Sequence, residues 1–358
     1  MSTPAGSTSP GLAAMANLGR GMVRQHRMPG HPSRHIRAQS KTSWPLFANG
    51  SGLVVVVMGP THAMFGVAAW LAVVGAAGAG VIGPGMEVLV GMPLPVVAMG
   101  AAVCAGGALL PDIDCPGSMS IRDGSTVVRA FGVVGEVVGT TMNALALLVF
   151  NLTKTRRDAD RHSGHRLFTH TAVFAVGLGM LTSLAASLPG TFDAGGKAYS
   201  TGTAMALLIM WSCLHLSLFG LFEKWTKEQR KNFSLVGVMV ISAALTLVTA
   251  AALPANAAGG KFWWLGLAVG GGAAVHCLGD AMTRAGVPFV WPVPIRGRCW
   301  GEIQLPPLLA FRAGGRFEYA VFFPVLTLLT LWLVVYTMPA SKWFAVSVAA
   351  SIGVHVPA

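Results

Sequence analysis

Long apolar segments recur along this chain and are separated by short polar stretches. Runs of roughly 17–25 apolar residues are long enough to cross a bilayer as α-helices. The sequence has such runs at 62–82, 93–111, 168–188, 203–222, 234–253, 262–282, 318–337 and 342–356. The pattern predicts an all-α polytopic membrane protein with about eight transmembrane helices.

A further apolar stretch, 130–152, does not fit the simple pattern, because it contains Glu136 and Asn143 and is flanked by basic residues on both sides. Lys and Arg favour cytoplasmic loops, so both flanks belong on the same side of the membrane. We therefore predict that 130–152 is re-entrant or lies in the interface. The alternative, a crossing helix, would put one basic cluster on the wrong side.

Residues 1–50 have no apolar periodicity and are rich in Ser, Pro, Gly, Arg and His. This composition predicts a disordered basic tail, assigned to 1–57, followed by a multi-pass membrane domain over 58–358. The arginines of the tail place the N-terminus in the cytoplasm by the positive-inside rule.

Composition supports a membrane protein and argues against a nucleic-acid-binding one. The chain is 53% hydrophobic and 11% charged, whereas soluble domains carry about 25% charged residues. The net charge of +12 suggests anionic membrane lipids as partners, and no nucleic-acid-binding module is recognisable. The cysteines form no CxxC pair, which indicates free thiols.

Four polar clusters interrupt the apolar pattern near the predicted cytoplasmic helix ends: "PTHAMFG", "LPDID", "HSGHRLFTHT" and "HCLGDAMT". Imidazole and carboxylate together suit a divalent cation such as Zn²⁺, Mn²⁺ or Fe²⁺. The candidate metal ligands are His62, Asp112, Asp114, His165, His170, His276 and Asp280.

Spacing within the clusters supports a shared site. His276 and Asp280 are four residues apart, so they share one helical face. In an extended turn after Pro111, Asp112 and Asp114 would point the same way and could bridge two ions. A carboxylate at membrane depth costs about 2.5–3.5 kcal/mol on insertion scales, which a bound cation or an aqueous cleft would offset.

The segment "HRLFTH" supplies two histidines and a cation. His165 and His170 converge only if His165 lies just before a helix and His170 lies in its first turn. Arg166 is four residues before His170, so it could face the site and bind an anionic substrate oxygen. A bound divalent ion lowers the pKa of its water to about 7. We therefore predict a hydrolytic site, with Arg166 and Asp114 as catalytic residues.

Taken as a set, "TH" near the first helix, "LLPDIDCPGS", "HRLFTHT" and "HCLGDAMTRAGVPFVWP" resemble the YdjM-like membrane-bound, metal-dependent hydrolases over roughly residues 60–338. The resemblance implies a multi-pass protein of a bacterial-type inner (plasma) membrane with a divalent-metal site built from the seven ligands named above. Members of this family commonly read "HRGFTH", and Leu167 replaces that glycine here.

The leading hypothesis is a metal-dependent hydrolase that acts on a lipid-like or phosphoester substrate at the cytoplasmic leaflet. One alternative is a metal-free lipid phosphatase resembling the PAP2 family, suggested by "SGH" at 163–165, by "HCLGD", and by Lys154 and Arg161. A non-enzymatic alternative is a metal-ion transporter or a metal-stabilised structural protein. Transporters place ionisable ligands near the bilayer midplane, so clustering at one boundary favours the hydrolase.

Overall fold

The computed structural model describes residues 58–81, 89, 92–117, 124–228, 235–252 and 262–337. The predicted tail, 1–57, and the last predicted membrane segment, 342–356, lie outside the described residues.

The described chain is mainly helical, as predicted. Its α-helices are α1 (Met58–Gly78), α2 (Leu94–Gly107), α3 (Thr126–Phe131), α4 (Val133–Thr153), α5 (Ala172–Ala186), α6 (Thr201–Glu228), α7 (Leu235–Ala252), α8 (Trp263–Ala281) and α9 (Phe323–Thr337). A short 3₁₀ helix, Leu110–Asp114, follows α2, and another, Phe168–His170, precedes α5. A π-helical turn, Glu318–Phe322, leads into α9.

By length and composition, five of the described helical segments could cross a membrane: Gly59–Gly78, Leu94–Asp114, Val133–Thr153, Thr201–Phe222 and Glu318–Thr337. The apolar helices α5 and α7 are shorter, and α8 carries the polar residues His276 and Asp280. An all-α membrane architecture is therefore supported, whereas the predicted number of eight crossings is not confirmed.

A small antiparallel hairpin joins α5 to α6 and was not expected in an all-α protein. Its strands are β1 (Thr191–Ala194) and β2 (Lys197–Ser200), with Thr191 opposite Ser200. All eight residues are exposed. The hairpin is therefore a solvent-facing connection and contributes nothing to the core.

The ambiguous 130–152 stretch forms most of a helical hairpin. Gly132, with φ 59° and ψ −131°, separates α3 from α4. α3 packs against α4, and α4 then passes the Leu110–Asp114 turn, where a side chain on Gly139 would meet the carbonyl of Ile113. At its far end Phe150 packs on Trp300 in the loop after α8. This path suits the predicted re-entrant segment; because α4 is also long enough to span, that interpretation stays a prediction.

The helix ends near the polar clusters gather at one end of the bundle. His62 in the first turn of α1 stacks on His276 near the end of α8, with ring centroids 4.0 Å apart. Gly220 of α6 lies against Leu109, just beyond α2. The beginning of α1 and the ends of α2, α6 and α8 therefore meet. Short loops make consecutive helices antiparallel, so such ends are expected on the same side of the bundle.

Close backbone contact holds α2, which leads into the 3₁₀ helix of Asp112 and Asp114, against α8. A side chain on Gly272 would collide with the carbonyl of Cys104 and lie 2.7 Å from the amide nitrogen of Ala108, whereas one on neighbouring Gly271 would meet nothing within 4 Å. Glycine at 272 thus permits the approach that brings α8 alongside α2.

This contrast gives a matched pair of variants. Gly272→Ala should lower the free energy of unfolding by about 1–3 kcal/mol or more, because a packed interface must open. Gly271→Ala should be neutral or stabilising by up to about 1 kcal/mol, because alanine is the better helix former. Thermal unfolding of both variants in detergent measures the difference. Equal stability of the two would contradict the close packing of α2 on α8.

Candidate metal centre

The end of α8 contributes two buried side chains to the site. His276 and Asp280 lie on one helical face, as their spacing predicted, with 3.7 Å between His276 Nε2 and Asp280 Oδ2. The helix ends immediately afterwards, and Thr283 donates its hydroxyl hydrogen to the backbone carbonyl of Asp280. The termination of α8 therefore fixes the position of Asp280.

Asp112 and Asp114 project from a 3₁₀ helix, Leu110–Asp114, and the predicted extended turn is wrong. Residues two apart in a 3₁₀ helix point in different directions. Asp112 Oδ1 accordingly lies 3.6 Å from His170 Nε2 and from His276 Nε2, while Asp114 Oδ1 lies 2.9 Å from His165 Nδ1. Pro111 occupies the start of this turn, where its missing N–H needs no partner.

The "HRLFTH" segment brings its two histidines together, although His170 lies in a 3₁₀ turn ahead of α5 and not in the first turn of the predicted helix. His165 precedes the 3₁₀ helix Phe168–His170, and α5 begins two residues after His170. The two rings meet edge to face, with centroids 5.5 Å apart. Between them the backbone takes a left-handed conformation at Arg166, with φ 59°. That strained residue directs its guanidinium towards the cluster, where Nη2 lies 3.0 Å from Asp280 Oδ1.

Four ligand atoms enclose a small central space: His170 Nε2, His276 Nε2, Asp112 Oδ1 and Asp280 Oδ2. The five separations that involve a histidine are 3.2 to 3.7 Å. In a tetrahedral zinc site with bonds of about 2.0–2.1 Å, ligand atoms lie about 3.3–3.4 Å apart. The observed separations are therefore those of a four-coordinate cation site.

Hydrogen bonds fix which ring nitrogens face this space as bare acceptors. His276 Nδ1 lies 2.7 Å from the carbonyl oxygen of Ala108, which can only accept, so Nδ1 carries the proton. Thr169 donates its hydroxyl hydrogen to Asp114 Oδ2 and accepts from His170 Nδ1 at 3.0 Å. With Nδ1 protonated in both rings, the two imidazoles in their neutral form present Nε2 lone pairs to this space.

Two such lone pairs facing each other at 3.2 Å repel unless a proton or a metal cation lies between them. The carboxylate oxygen Asp280 Oδ2 faces the same space. It is buried and has no hydrogen-bond partner among the described residues. Buried polar atoms are rarely left unsatisfied, so an orphaned carboxylate oxygen needs an explanation. A divalent cation satisfies all of these atoms at once, and the residues present fit such an ion.

Comparison with known proteins accords with this arrangement. Residues 57–220 match the YdjM inner membrane protein family. No curated protein and no solved structure matches the chain significantly. The resemblance that the motifs suggested is thereby borne out over this segment, and it agrees with an inner-membrane setting for the apolar helices.

The matched segment contains most of the site residues but not those of α8. His62, the "PDID" aspartates and the "HRLFTH" residues lie inside the matched range, whereas His276 and Asp280 of α8 lie beyond it. Because Asp280 bonds to Arg166 and faces His170, the YdjM segment cannot form the observed cluster by itself.

All eight predicted site residues are brought together at this end of the bundle. Two groups have ligand atoms within 4.8 Å of one another: His62, His276 and Asp280, and Asp112, His165 and His170. Asp114 belongs to neither group, because its carboxylate oxygens are engaged by His165 and Thr169. Its geometry is that of a carboxylate that orients histidines. Arg166 is paired with Asp280 and is partly exposed.

Sequence reasoning missed two side chains that support the site. Thr169 links Asp114 to His170, and Asn143 of α4 donates to the backbone carbonyl of Asp114 at 2.6 Å. Thr169 lies inside the "HRLFTH" motif, and its position directly before His170 is the one sequence feature that could have indicated its role. Nothing in the sequence linked Asn143 to residues nearly thirty positions earlier.

Thr169→Val tests the support of the site through stability. Valine has a similar shape but leaves His170 Nδ1–H and Asp114 without their partner, and a buried unsatisfied group costs about 1–3 kcal/mol. Thr169→Ser should restore most of that loss. Thr246→Val is the control, because the hydroxyl of buried Thr246 bonds only to the backbone of its own helix. Thermal unfolding of the three variants would contradict this role for Thr169 if Thr246→Val were equally destabilising.

Proposed function

We propose that this protein is a membrane-embedded, metal-dependent hydrolase that acts on a lipid-like phosphoester at the cytoplasmic leaflet. The observation that carries the proposal is the four-atom cage of His170, His276, Asp112 and Asp280, in which histidine lone pairs and an orphaned carboxylate oxygen converge. A divalent cation held there supplies Lewis-acid polarisation of a phosphoryl oxygen and acidifies a water.

The surrounding residues fit defined parts in such a reaction. Asp280 of α8 and Asp112 of the 3₁₀ helix after α2 would hold the cation, and Asp114 with Thr169 would keep His170 in the tautomer that binds it. Arg166 lies at the partly exposed edge of the cluster, where a guanidinium can bind phosphoryl oxygens and stabilise developing charge. His165 is half-exposed and bonded through Nδ1 to Asp114, so its Nε2 is available to bind a cation or to move a proton.

A lipid-like substrate is supported by an apolar groove between α5 and α8. The groove has a volume of about 690 Å³ and is lined by residues that include Ala172, Met180, Gly271, Ala274 and Phe289. Ala172 and Ala274 are each two residues from a histidine of the cage, so one end of the groove lies at the same level of the bundle as the cluster. An acyl chain in the groove would leave the attached headgroup at the cluster end of the bundle.

The membrane orientation is part of the proposal. Arginines of the tail and of the loop after α8 place the cluster end of the bundle in the cytoplasm by the positive-inside rule. The alternative based on Lys154 and Arg161 is not favoured, because Lys154 pairs with Asp160 and Arg161 pairs with Glu302. Neither basic side chain contacts the His/Asp cluster in the described structure.

The test is hydrolysis by the full chain in nanodiscs. Phosphate release from a lipid phosphate and from a soluble phosphomonoester is measured with Zn²⁺, Mn²⁺ or Fe²⁺ supplied, and again after chelation. Release that disappears on chelation and returns with metal supports the proposal. Release that survives complete metal removal and passes through a phosphohistidine would instead support the PAP2-like mechanism. Metal flux into vesicles without hydrolysis would support a transporter.

A further inference from the structure

Two loops on the cluster side of the bundle are joined into one structure. The loop after α4 carries Asp158, whose carboxylate accepts hydrogen bonds from the backbone N–H groups of Cys299 and Trp300 at 3.2 and 3.0 Å. The Thr155 hydroxyl oxygen lies 2.8 Å from Asp158 Oδ2 and 3.1 Å from the carbonyl oxygen of Gly297, and it shares its one hydrogen between these two acceptors. Burial raises the pKa of Asp158, but the hydrogen bonds from Thr155, Trp300 and Cys299 together outweigh it and hold that pKa below its usual range. The loops are therefore pinned in place near neutral pH.

Open cavities lie where the two loops meet. A cavity of about 740 Å³ is lined by Arg157, Arg296 and Arg298, and an adjoining one of about 230 Å³ is lined by Arg161 and again by Arg298. Both include Glu302 and Gln304. We call the pair the arginine cavity.

The charges of the arginine cavity are not balanced. Four arginines face two carboxylates, Glu302 and Asp158, which leaves a formal charge of +2. Arg161 pairs with Glu302, and Arg157 Nη1 donates to the carbonyl of Arg296 at 3.3 Å. In the described part of the chain, the side chains of Arg296 and Arg298 have neither an ion-pair nor a hydrogen-bond partner.

Arg296 occupies a position that is poorly suited to arginine. It and Gly297 have φ values of 52° and 79°, and Ile295 and Arg298 exchange backbone hydrogen bonds across them. This is the geometry of a type I′ turn, in which Asn-Gly is strongly preferred. A non-glycine residue in this region is strained, and backbone strain of this kind clusters at active sites and ligand-binding sites.

We propose that the arginine cavity binds a phosphate-bearing anion at a site separate from the His/Asp cluster. Guanidinium groups bind phosphate through paired, charge-assisted hydrogen bonds, and two unpaired guanidinium groups stand in a pinned cavity large enough for a headgroup. No residue that lines the cavity is a candidate metal ligand. The anion could be a phospholipid headgroup or a soluble phosphate compound; exposed Val293 and Leu308 on the same loop would suit contact with a membrane surface.

The proposal is tested on the full chain with two probes. Equilibrium dialysis against labelled inorganic phosphate, at constant ionic strength in detergent, measures binding of the free anion. Native mass spectrometry from nanodiscs that contain phosphatidylglycerol and phosphatidylcholine measures selective retention of the anionic lipid. The native chain should bind at least one probe. Arg296→Asn and Arg298→Gln should each weaken that binding by about tenfold or more, the size expected for a lost hydrogen bond to a charged group.

Three comparisons make the result decisive. Arg312→Gln removes the same charge from an exposed position of the same loop outside the cavity, so it should change binding less than about twofold if the loss is local rather than due to net charge. Arg296→Asn should also raise the unfolding temperature, because Asn suits the turn, which separates lost binding from lost folding. Glu302→Gln should tighten binding, since it removes the opposing charge and frees Arg161.

The outcomes are distinct. Binding of phosphate alone identifies a soluble ligand, and selective retention of phosphatidylglycerol without phosphate binding identifies a lipid headgroup; both support the site if Arg296→Asn and Arg298→Gln abolish them. The proposal is overturned if the native chain binds neither probe, or if Arg312→Gln weakens binding as much as the cavity variants do. Metal content should be unchanged in all four variants, because none of these residues contacts the cluster.

Discussion

The full-length chain, purified in detergent without chelators, is expected to carry a stoichiometric divalent ion that Asp112→Asn and His276→Gln lose. Each substitution removes one corner of the cage, in which Asp112 Oδ1 and His276 Nε2 are 3.6 Å apart. Residues that only orient ligands typically contribute 10–100-fold to metal affinity, so loss of a ligand should weaken affinity by about 100-fold or more.

Elemental analysis and competition with a metal indicator measure this effect. Asp193→Asn is the matched control, because Asp193 lies on the exposed hairpin between α5 and α6, and it should retain the native metal content. Circular dichroism on each variant shows whether the helices are intact. Absence of metal from the native protein, or full retention of metal in both cage variants, would rule out the ligand assignment.

Arg166→Gln should separate catalysis from metal binding. Arg166 contacts Asp280 through Oδ1, on the side away from the orphaned Oδ2 that faces the histidines, so the cage keeps its four corners without it. If Arg166 binds phosphoryl oxygens in the proposed reaction, kcat should fall by about 10²–10³-fold, the effect of removing one donor that stabilises developing charge. Metal content should stay near the native value.

Two further variants sharpen this test. Arg166→Lys keeps a charge but not the two-pronged hydrogen bond, so it should recover only part of the lost rate. Arg156→Gln removes an exposed arginine of the preceding loop and should leave kcat unchanged. Steady-state kinetics on the lipid phosphate give kcat and KM separately. A rise in KM alone, with kcat unchanged, would assign Arg166 to substrate binding and contradict a part in the chemical step.

Residue spacing was enough to predict the local parts of the site. The i,i+4 pair His276 and Asp280 shares a face because any α-helix places such residues together. The apolar runs predicted helices for the same reason, since a long apolar segment in lipid must satisfy its own backbone. The convergence of the clusters at one bundle end also followed, because alternating short-loop helices return every second end to the same side.

Local sequence failed where backbone geometry depends on distant partners. The turn after Pro111 was expected to be extended, but it closes into a 3₁₀ helix against α3, α4 and α8. The helix predicted over 168–188 begins only at Ala172, since "FTH" forms a separate turn that points His170 inwards. The apolar run over 130–152 likewise did not predict that the chain divides into α3 and α4 at Gly132, where φ is positive.

The chain by itself thus determined which residue types are available, how far apart they lie along each helix, and that the helices belong in a membrane. Tertiary packing decided the rest: which ring nitrogens of His170 and His276 are bare, that Thr169 and Asn143 support Asp114, and that loops some 140 positions apart join through Asp158 and Trp300. The reason is physical. Spacing constrains neighbours within a turn or two, whereas a hydrogen bond between distant segments exists only once the whole bundle has placed both partners.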